Sequence, residues 1–410
     1  MAAPSREMMI AEYIDSEQGR PRRAAPTTRL LYVGDVPVEA SYHGSALLHR
    51  LLSDYPHEQL TVVETGTPSS ALRRLPRVKY ISYPIGKARL LNTRFHPYAI
   101  AWFSRAATHA APEISQSVNG FHFEGVLTVA HGFGWLAAAR IASRRRVPLH
   151  LVIHDDWPRA ADIAPRFRNW LDAQFAGVYR QAESRFGGSP AMSRAYLERY
   201  GKPAEIIYPT RAPGCPDFAT PPEHLAHNGK PFTIAFAGTI NSNGYIRALR
   251  VLQDALRSVG GRLLIFGPLN RHEANRIGLD DAEVCGLLSA ADLLTRLRAE
   301  ADALFVPMSF DASDRDNMEM AFPSKLADGT ATGLPLLIYG PTYCSAVAWA
   351  RDNEGVAEVV AREADLEKSV VRLANDPALR VALGQRALEV GRQYFSHERV
   401  QEVFRRALSL

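Results

Sequence analysis

The densest chemistry in this chain lies in "AFPSKLADGTATGLPLLIYGP", residues 321–341, where Pro323 and Ser324 precede a short helical run carrying Lys325 and Asp328. Pro323 suits a helix start and Ser324 a cap. Lys325 and Asp328 fall one turn apart on one face. Unpaired amides and an ammonium at such a terminus suit a diphosphate. An ionised Asp328 only accepts hydrogen bonds, as the hydroxyls of a ribose require. Thr332-Gly333 closes the helix. An internal Lys–Asp pair on a capped surface helix is the competing reading of the same spacing.

Other stretches sit where strands end. "IAFAGTINSNGY" runs to Gly238, which would let a phosphate approach the main chain, and Thr239, Asn241 and Asn243 can donate to it. "TVAHGFGWLAAAR" places Gly132, Gly134 and Ala137 in a G-x-G-x-x-A run with Asp155 near the end of the next strand, the spacing of a nicotinamide dinucleotide turn. NAD(P)-dependent oxidation is therefore a rival reading, although His131 and Trp135 crowd that turn. His43, His131 and His154 each follow a first-half strand, where a neutral imidazole can orient a hydroxyl or take a proton. Asp314-Arg315-Asp316 could hold a divalent metal, but in so acidic a loop it reads as solvated charge.

The elements that must position these residues alternate. "RLLYVGD", "QLTVVET", "GVLTVA" and "LHLVIHD" read as strands, with "GSALLHRLLSDY" and "WLAAARIASRRR" as helices between them. "RFGGSPAMSRAYLERYG" adds a helix with a Ser-Pro start and a terminal Gly. A Pro/Gly/Thr-rich lapse follows, and then a second series: "FTIAFAG", "RLLIFGP", "AEVCGLL", "ALFVPMS" and "LPLLIYG". The expected organisation is α/β, with two doubly wound, Rossmann-like parallel-sheet domains facing a cleft. A disordered tail is expected over residues 1–27, the first domain over 28–211 and a linker over 212–231. The second domain is expected over 232–394, with a terminal helix over 395–410.

Composition sets the outer limits. At 410 residues the chain exceeds the size at which one core usually stops growing. Residues 1–228 hold 27 Lys/Arg against 20 Asp/Glu and the remainder 21 against 23, so the first half is basic and suits an anionic membrane or glycan. No dense basic helix or nucleic-acid motif appears, so nucleic acid is not an expected partner. Cys215, Cys285 and Cys344 are far apart and odd in number, as in a reducing compartment. With no signal-peptide core and no long apolar run, a cytoplasmic protein is expected, peripheral at most to the inner face of a membrane.

Taken together, "FTIAFAGTINSNGYIRALRVLQDAL", "RLLIFGP", "AEVCGLLSAADLLTRLRAEADALFVPMS" and "FPSKLADGTATGLPLLIYGP" resemble the donor domain of retaining, nucleotide-sugar-dependent glycosyltransferases of the GT-B fold (glycosyltransferase group 1, family 4-like). "YHGSALLHRLL", "VIHDDW" and "FGGSPAMSRAYLERYG" resemble their first domain more loosely. The resemblance implies transfer of a sugar from a nucleoside diphosphate to an acceptor hydroxyl, on a glycan, polysaccharide or lipid-linked acceptor, with retention and without metal or cofactor. It implies that Lys325, Ser324 and the Gly238-Thr239 loop, with Asn243 beside it, contact the diphosphate. Asp328 would bind the ribose and Gly286-Leu287 lie against the base. The Tyr42-His43-Gly44 turn would approach the phosphates and His154 face the reacting sugar. "FSHERVQEVF" would cross back to the first domain.

Three departures stand out. Relatives place two glutamates eight positions apart: the second matches Asp328, but the first falls on Met320, leaving Glu319 one step away as the acidic candidate. Thr239 and Asn243 stand where basic residues are common, and Gly329 replaces a bulkier residue. A degenerate sugar-nucleotide-binding subunit and a nucleotide-sugar epimerase or hydrolase are the further alternatives.

Overall fold

The computed structural model describes residues 28–40, 43–86, 88–228, 231–240 and 242–408. Continuous apolar runs form its central strands. Leu30–Gly34 (β1), Leu60–Glu64 (β2), Gly125–Val129 (β4) and Leu149–Ile153 (β5) are buried along their whole length, as strands covered on both faces must be. With Lys79–Ser82 (β3), Ser184–Gly187 (β6) and Glu205–Ile206 (β7) they build a parallel sheet of order β3-β2-β1-β4-β5-β6-β7. Its helices are α1 (His43–Leu52), α2 (Ala88–Leu91), α3 (His96–Ser117), α4 (Gly134–Arg145), α5 (Pro165–Gln181) and α6 (Pro190–Tyr200).

The second sheet comprises Thr233–Ala237 (β8), Arg262–Phe266 (β9), Glu283–Gly286 (β10), Ala303–Pro307 (β11), Leu336–Tyr339 (β12) and Ala357–Val360 (β13), in the order β10-β9-β8-β11-β12-β13, again parallel. Its helices are α7 (Asn243–Arg257), α8 (Arg271–Arg276), α9 (Ala290–Glu300), α10 (Arg315–Met320), α11 (Lys325–Ala331), α12 (Ser345–Asp352), α13 (Leu366–Asn375) and α14 (Pro377–Phe395). The terminal α15 (His397–Leu408) returns to the first sheet's side, where Phe404 packs on Phe186 and Gln401 donates to the Leu51 carbonyl at 2.8 Å.

Local signals place several of these elements. Ser189 caps α6 by accepting from the Met192 amide, and Gly201 ends it at φ 79°. Gly333, at φ 71°, follows α11 in the left-handed conformation that glycine adopts without strain. The segment expected to be a linker is partly docked. Leu225 is fully buried, and the Arg380 guanidinium donates to the carbonyls of Leu225 and His227 at 3.2 and 2.9 Å.

Each sheet changes direction once, between β1 and β4 and between β8 and β11. Those switch points open crevices at the carboxyl ends of the strands, where ligands of doubly wound sheets bind. Gly132 and Gly134 after β4 and Gly238 after β8 stand at these switch points.

Candidate functional site

At the second switch point β8 ends in Gly238, whose φ of 143° is not accessible to ordinary side chains. A Cβ there would lie 2.6 Å from Lys325 Cε. The glycine leaves room for the end of the lysine side chain to pass. The Lys325 ammonium lies 5.3 Å from the Phe236 ring and 5.0 Å from the Tyr245 ring. It has no carboxylate and no hydrogen-bond partner among the described residues. Desolvation lowers its pKa to about 8, as expected for a half-buried ammonium without an anionic neighbour among those residues.

The neighbouring strand ends are tied together. The Gly238 amide donates to the Phe266 carbonyl at 2.8 Å and the Gly267 amide to the Gly286 carbonyl at 2.9 Å. Gly267 was not singled out from the sequence. A side chain there would strike the Gly238 carbonyl oxygen. This pairing sets Gly286 beside the Gly238 loop and leaves Leu287 57% exposed just beyond it, a surface against which a flat base can lie. Thr239 follows Gly238 directly. Asn243 is exposed at the first position of α7, capped by the Ser242 hydroxyl, which accepts from the Tyr245 amide at 3.3 Å.

Ser324 does not cap α11. Its φ and ψ of −59° and −21° are already helical, whereas a capping hydroxyl needs the extended backbone that points it back at the third amide. Gly329 is explained by packing: a Cβ there would sit 3.2 Å from Leu336 and 3.4 Å from Leu304, so the departure lets α11 lie close on the sheet.

Asp328 is engaged by a residue that the sequence reading passed over. Arg50, in the last turn of α1, donates to both Asp328 oxygens at 3.1 Å and to the carbonyl of Thr210 at 2.9 Å. The pair joins the two domains where the chain passes between them. No local sequence signal marks Arg50, because its partner lies 278 positions away. The carboxylate expected to meet a ribose thus holds a guanidinium in this structure, and the intrahelical pairing of Asp328 with Lys325 does not occur.

Met320 is turned into the domain interface. Its carbonyl accepts from the Ser189 hydroxyl at 2.6 Å and its sulfur lies 3.8 Å from an Arg199 nitrogen. The same guanidinium holds both oxygens of Asp156, at 2.7 and 2.9 Å. Glu319 follows α10's other acidic residue, Asp316, and precedes Met320 at the end of that helix. Burial first, and then the charge of Glu319, push the Cys344 thiol up to about 12. Among the described residues no hydrogen bond or ion pair joins Glu319 to Lys325 or His154.

In the first domain Gly44 and His154 meet: a Cβ at Gly44 would lie 3.0 Å from His154 Nδ1. Burial lowers the His154 pKa, against the opposing charge of Asp155 and with the help of His131, so the imidazole is neutral at neutral pH and can donate or accept. His131 is exposed, 5.6 Å from the Trp157 ring. His43 opens α1, but its side chain, Tyr42 and Asn241 lie outside the described residues, as does the tail over residues 1–27.

The G-x-G-x-x-A turn at Gly132 is already full. Asp35, just after β1, accepts from the amide of Phe133 at 2.7 Å and from that of Gly134. Side chains at Gly132 or Gly134 would strike Asp35 or Thr65. The anion place at the start of α4, where a dinucleotide pyrophosphate would sit, holds the protein's own carboxylate. This removes the physical basis of the NAD(P) reading. Among the described residues no group of three His, Cys, Asp or Glu side chains could hold a metal ion, and Asp314 and Asp316 contribute to none.

No family profile and no curated protein sequence matches the chain. Solved structures do. HepE of Anabaena in complex with UDP and glucose superposes with a TM-score of 0.63 at 13% identity, covering 93% of this chain and 99% of that one. An alpha,alpha-trehalose-phosphate synthase (UDP-forming) from Burkholderia vietnamiensis gives 0.60 at 14% identity, over 93% and 99%. WaaG, a glycosyltransferase involved in lipopolysaccharide biosynthesis, gives 0.58 at 13%, over 91% and 99%. The two-domain fold of this chain is theirs, GT-B.

Proposed function

We propose that this protein is a glycosyltransferase that moves a sugar from a nucleoside diphosphate sugar to an acceptor hydroxyl, with retention and without a metal. The observation that carries the reading is Lys325: an ammonium without a counter-charge among the described residues, held between two rings at the switch point of the second sheet. It is supported by the shared fold with HepE, which was crystallised with UDP-glucose.

Cleaving the bond between an anomeric carbon and a diphosphate develops negative charge on the leaving oxygen. A preformed cation in a poorly solvated crevice stabilises that charge without reorganising. Lys325 and the main chain after Gly238 take the diphosphate. Leu287 and Gly286 flank the base. Neutral His154, beside Gly44, orients a hydroxyl of the reacting sugar. The acceptor, a glycan or a lipid-linked sugar, enters from the first domain on the face the diphosphate leaves, and the departing phosphate takes its proton. Asp328 reaches the ribose once Arg50 has let go of it, so donor binding and release of the interdomain pair are one event. Glu319 has no part in this scheme.

A degenerate binding subunit is the second reading, favoured by Met320 at the place of the relatives' glutamate. One experiment separates the readings. A thermal-shift screen of UDP, GDP, TDP, CMP and NAD identifies the nucleotide. The matching sugar nucleotide is then supplied with acceptors, in chelator, and the product anomer read by NMR. Retained configuration supports the proposal. Hydrolysis or epimerisation alone, an inverted product or NAD stabilisation would contradict it, and nucleotide binding without turnover would favour the degenerate subunit. The work is proposed to take place in the cytoplasm, at the inner face of a membrane.

A further inference from the structure

Helix α3 buries one face and shows another. Ile100, Phe103, Ala107, Ala111 and Ile114 are in the core, while Phe95 just before the helix, Tyr98 and Trp102 are 54%, 48% and 63% exposed. Steps of three and four residues put these three rings on one side of its first turns. Arginines stack on them: Arg94 lies 5.0 Å over Phe95, and Arg166 at the start of α5 lies 4.9 Å over Tyr98. Arg105 continues the exposed stripe one turn on. Asp162, exposed, lies 4.0 Å from His96 at the start of the helix. The Ala164 amide, donating to the Pro97 carbonyl at 3.1 Å, ties this end of α3 to the end of the loop that follows β5.

We propose that the first turns of α3, with Phe95, Tyr98 and Trp102 bracketed by Arg94 and Arg166, are a docking face for an anionic lipid bilayer. Aromatic rings with a polar edge settle at the boundary between headgroups and acyl chains, and guanidinium groups lying on those rings stand at the level of the lipid phosphates. The surface is a convex helix face, whereas sugar and cofactor sites are concave. About half exposed, its three rings offer roughly 75–125 Å² each, and even doubled for a contact between two copies their sum stays under the ~1,000 Å² that a stable interface buries in total. The excess of arginine over carboxylate selects an anionic surface over a neutral one. The face gives the membrane contact proposed above a location on the first domain, and its test requires no transferase activity.

The test is co-sedimentation of the full chain with phosphatidylcholine vesicles, with and without phosphatidylglycerol. Wild-type protein is expected to bind the phosphatidylglycerol vesicles, more weakly as salt rises, and to leave the neutral ones. Tyr98→Ser with Trp102→Ser, and separately Arg94→Glu with Arg166→Glu, are each expected to weaken binding about tenfold or more while melting temperature and UDP affinity stay unchanged. If the aromatic pair fails to fold, the arginine pair carries the test alone. Wild-type protein that ignores anionic vesicles, or variants that bind as it does, would overturn the proposal. So would a raised KM for a soluble glycan with vesicle binding intact, which marks a sugar platform, or loss of a wild-type dimer in the variants, which marks contact between copies. Failure of the bilayer arm with UDP binding preserved leaves the proposed transferase function standing.

Discussion

The two switch points of this molecule share one plan: a strand ends, glycines open the crevice, and backbone or side-chain positive charge gathers there. In the first sheet the protein fills the place itself, with Asp35 on the amides of Phe133 and Gly134. In the second the charge is a lysine with no partner among the described residues. Both glycine turns read from the sequence as places where a phosphate could approach, the first of them crowded by His131 and Trp135. What separates them is whether the counter-charge is built in, and only the unfilled one can bind a ligand without displacing part of the fold. One place holds the structure together and the other is available for chemistry.

That contrast can be broken from either side. The largest expected effect is Lys325→Ala: turnover falls on the order of 10² to 10³, as for loss of one preorganised charge donor, while melting temperature holds or rises because a half-buried cation has gone. Asp35→Ala should do the reverse. It leaves two amides without an acceptor and lowers folding stability by about 1–3 kcal/mol, measured by denaturant titration, with UDP affinity unchanged. Smaller is Arg50→Ala, which frees the Asp328 carboxylate. UDP binding by calorimetry should tighten about fivefold, the equivalent of the ~1 kcal/mol typical of a partly exposed pair. If it weakens instead, Asp328 is a domain clasp and not a ribose ligand.

The smallest and most graded test is pH. Lys325 is lowered from 10.5 to about 8 in the folded protein, so UDP affinity should decline as pH rises past 8. Between about pH 8 and 10.5 the unfolded chain holds a proton there that the folded chain lacks, so this group makes folding more favourable as pH rises. Affinity and stability should therefore move in opposite directions over that interval, and in Lys325→Met neither trend should remain.

Much of the architecture could be read beforehand because parallel strands buried on both faces are written as unbroken apolar runs, such as "LLYVG" and "TIAFA". Edge strands β3 and β13, half exposed and without such runs, were not apparent. Nor was α3, whose regular pattern is interrupted by Pro112 and whose exposed rings read as ordinary apolar content. At the site, Lys325, Gly238, Gly286, Gly44 and His154 were named from strand ends and from the glycosyltransferase resemblance, but the contact of Gly44 with His154 was not foreseen. Three further features did not follow. The serine cap failed because the Ser324 backbone is already helical. Arg50 was invisible because a pair spanning 278 positions leaves no local pattern. Asp35 was passed over because its role, plugging a helix start nearly 100 residues downstream, exists only once β1 and β4 are neighbours.

The central claim is that the Lys325 ammonium is kept unpaired for a diphosphate. Its most direct measurement is calorimetric binding of UDP and of uridine to wild-type protein and to Lys325→Met. The expected result is a strong preference for UDP over uridine in the wild type that disappears in the variant, with both proteins equally folded. An undiminished preference in Lys325→Met, or none in the wild type, would contradict the account.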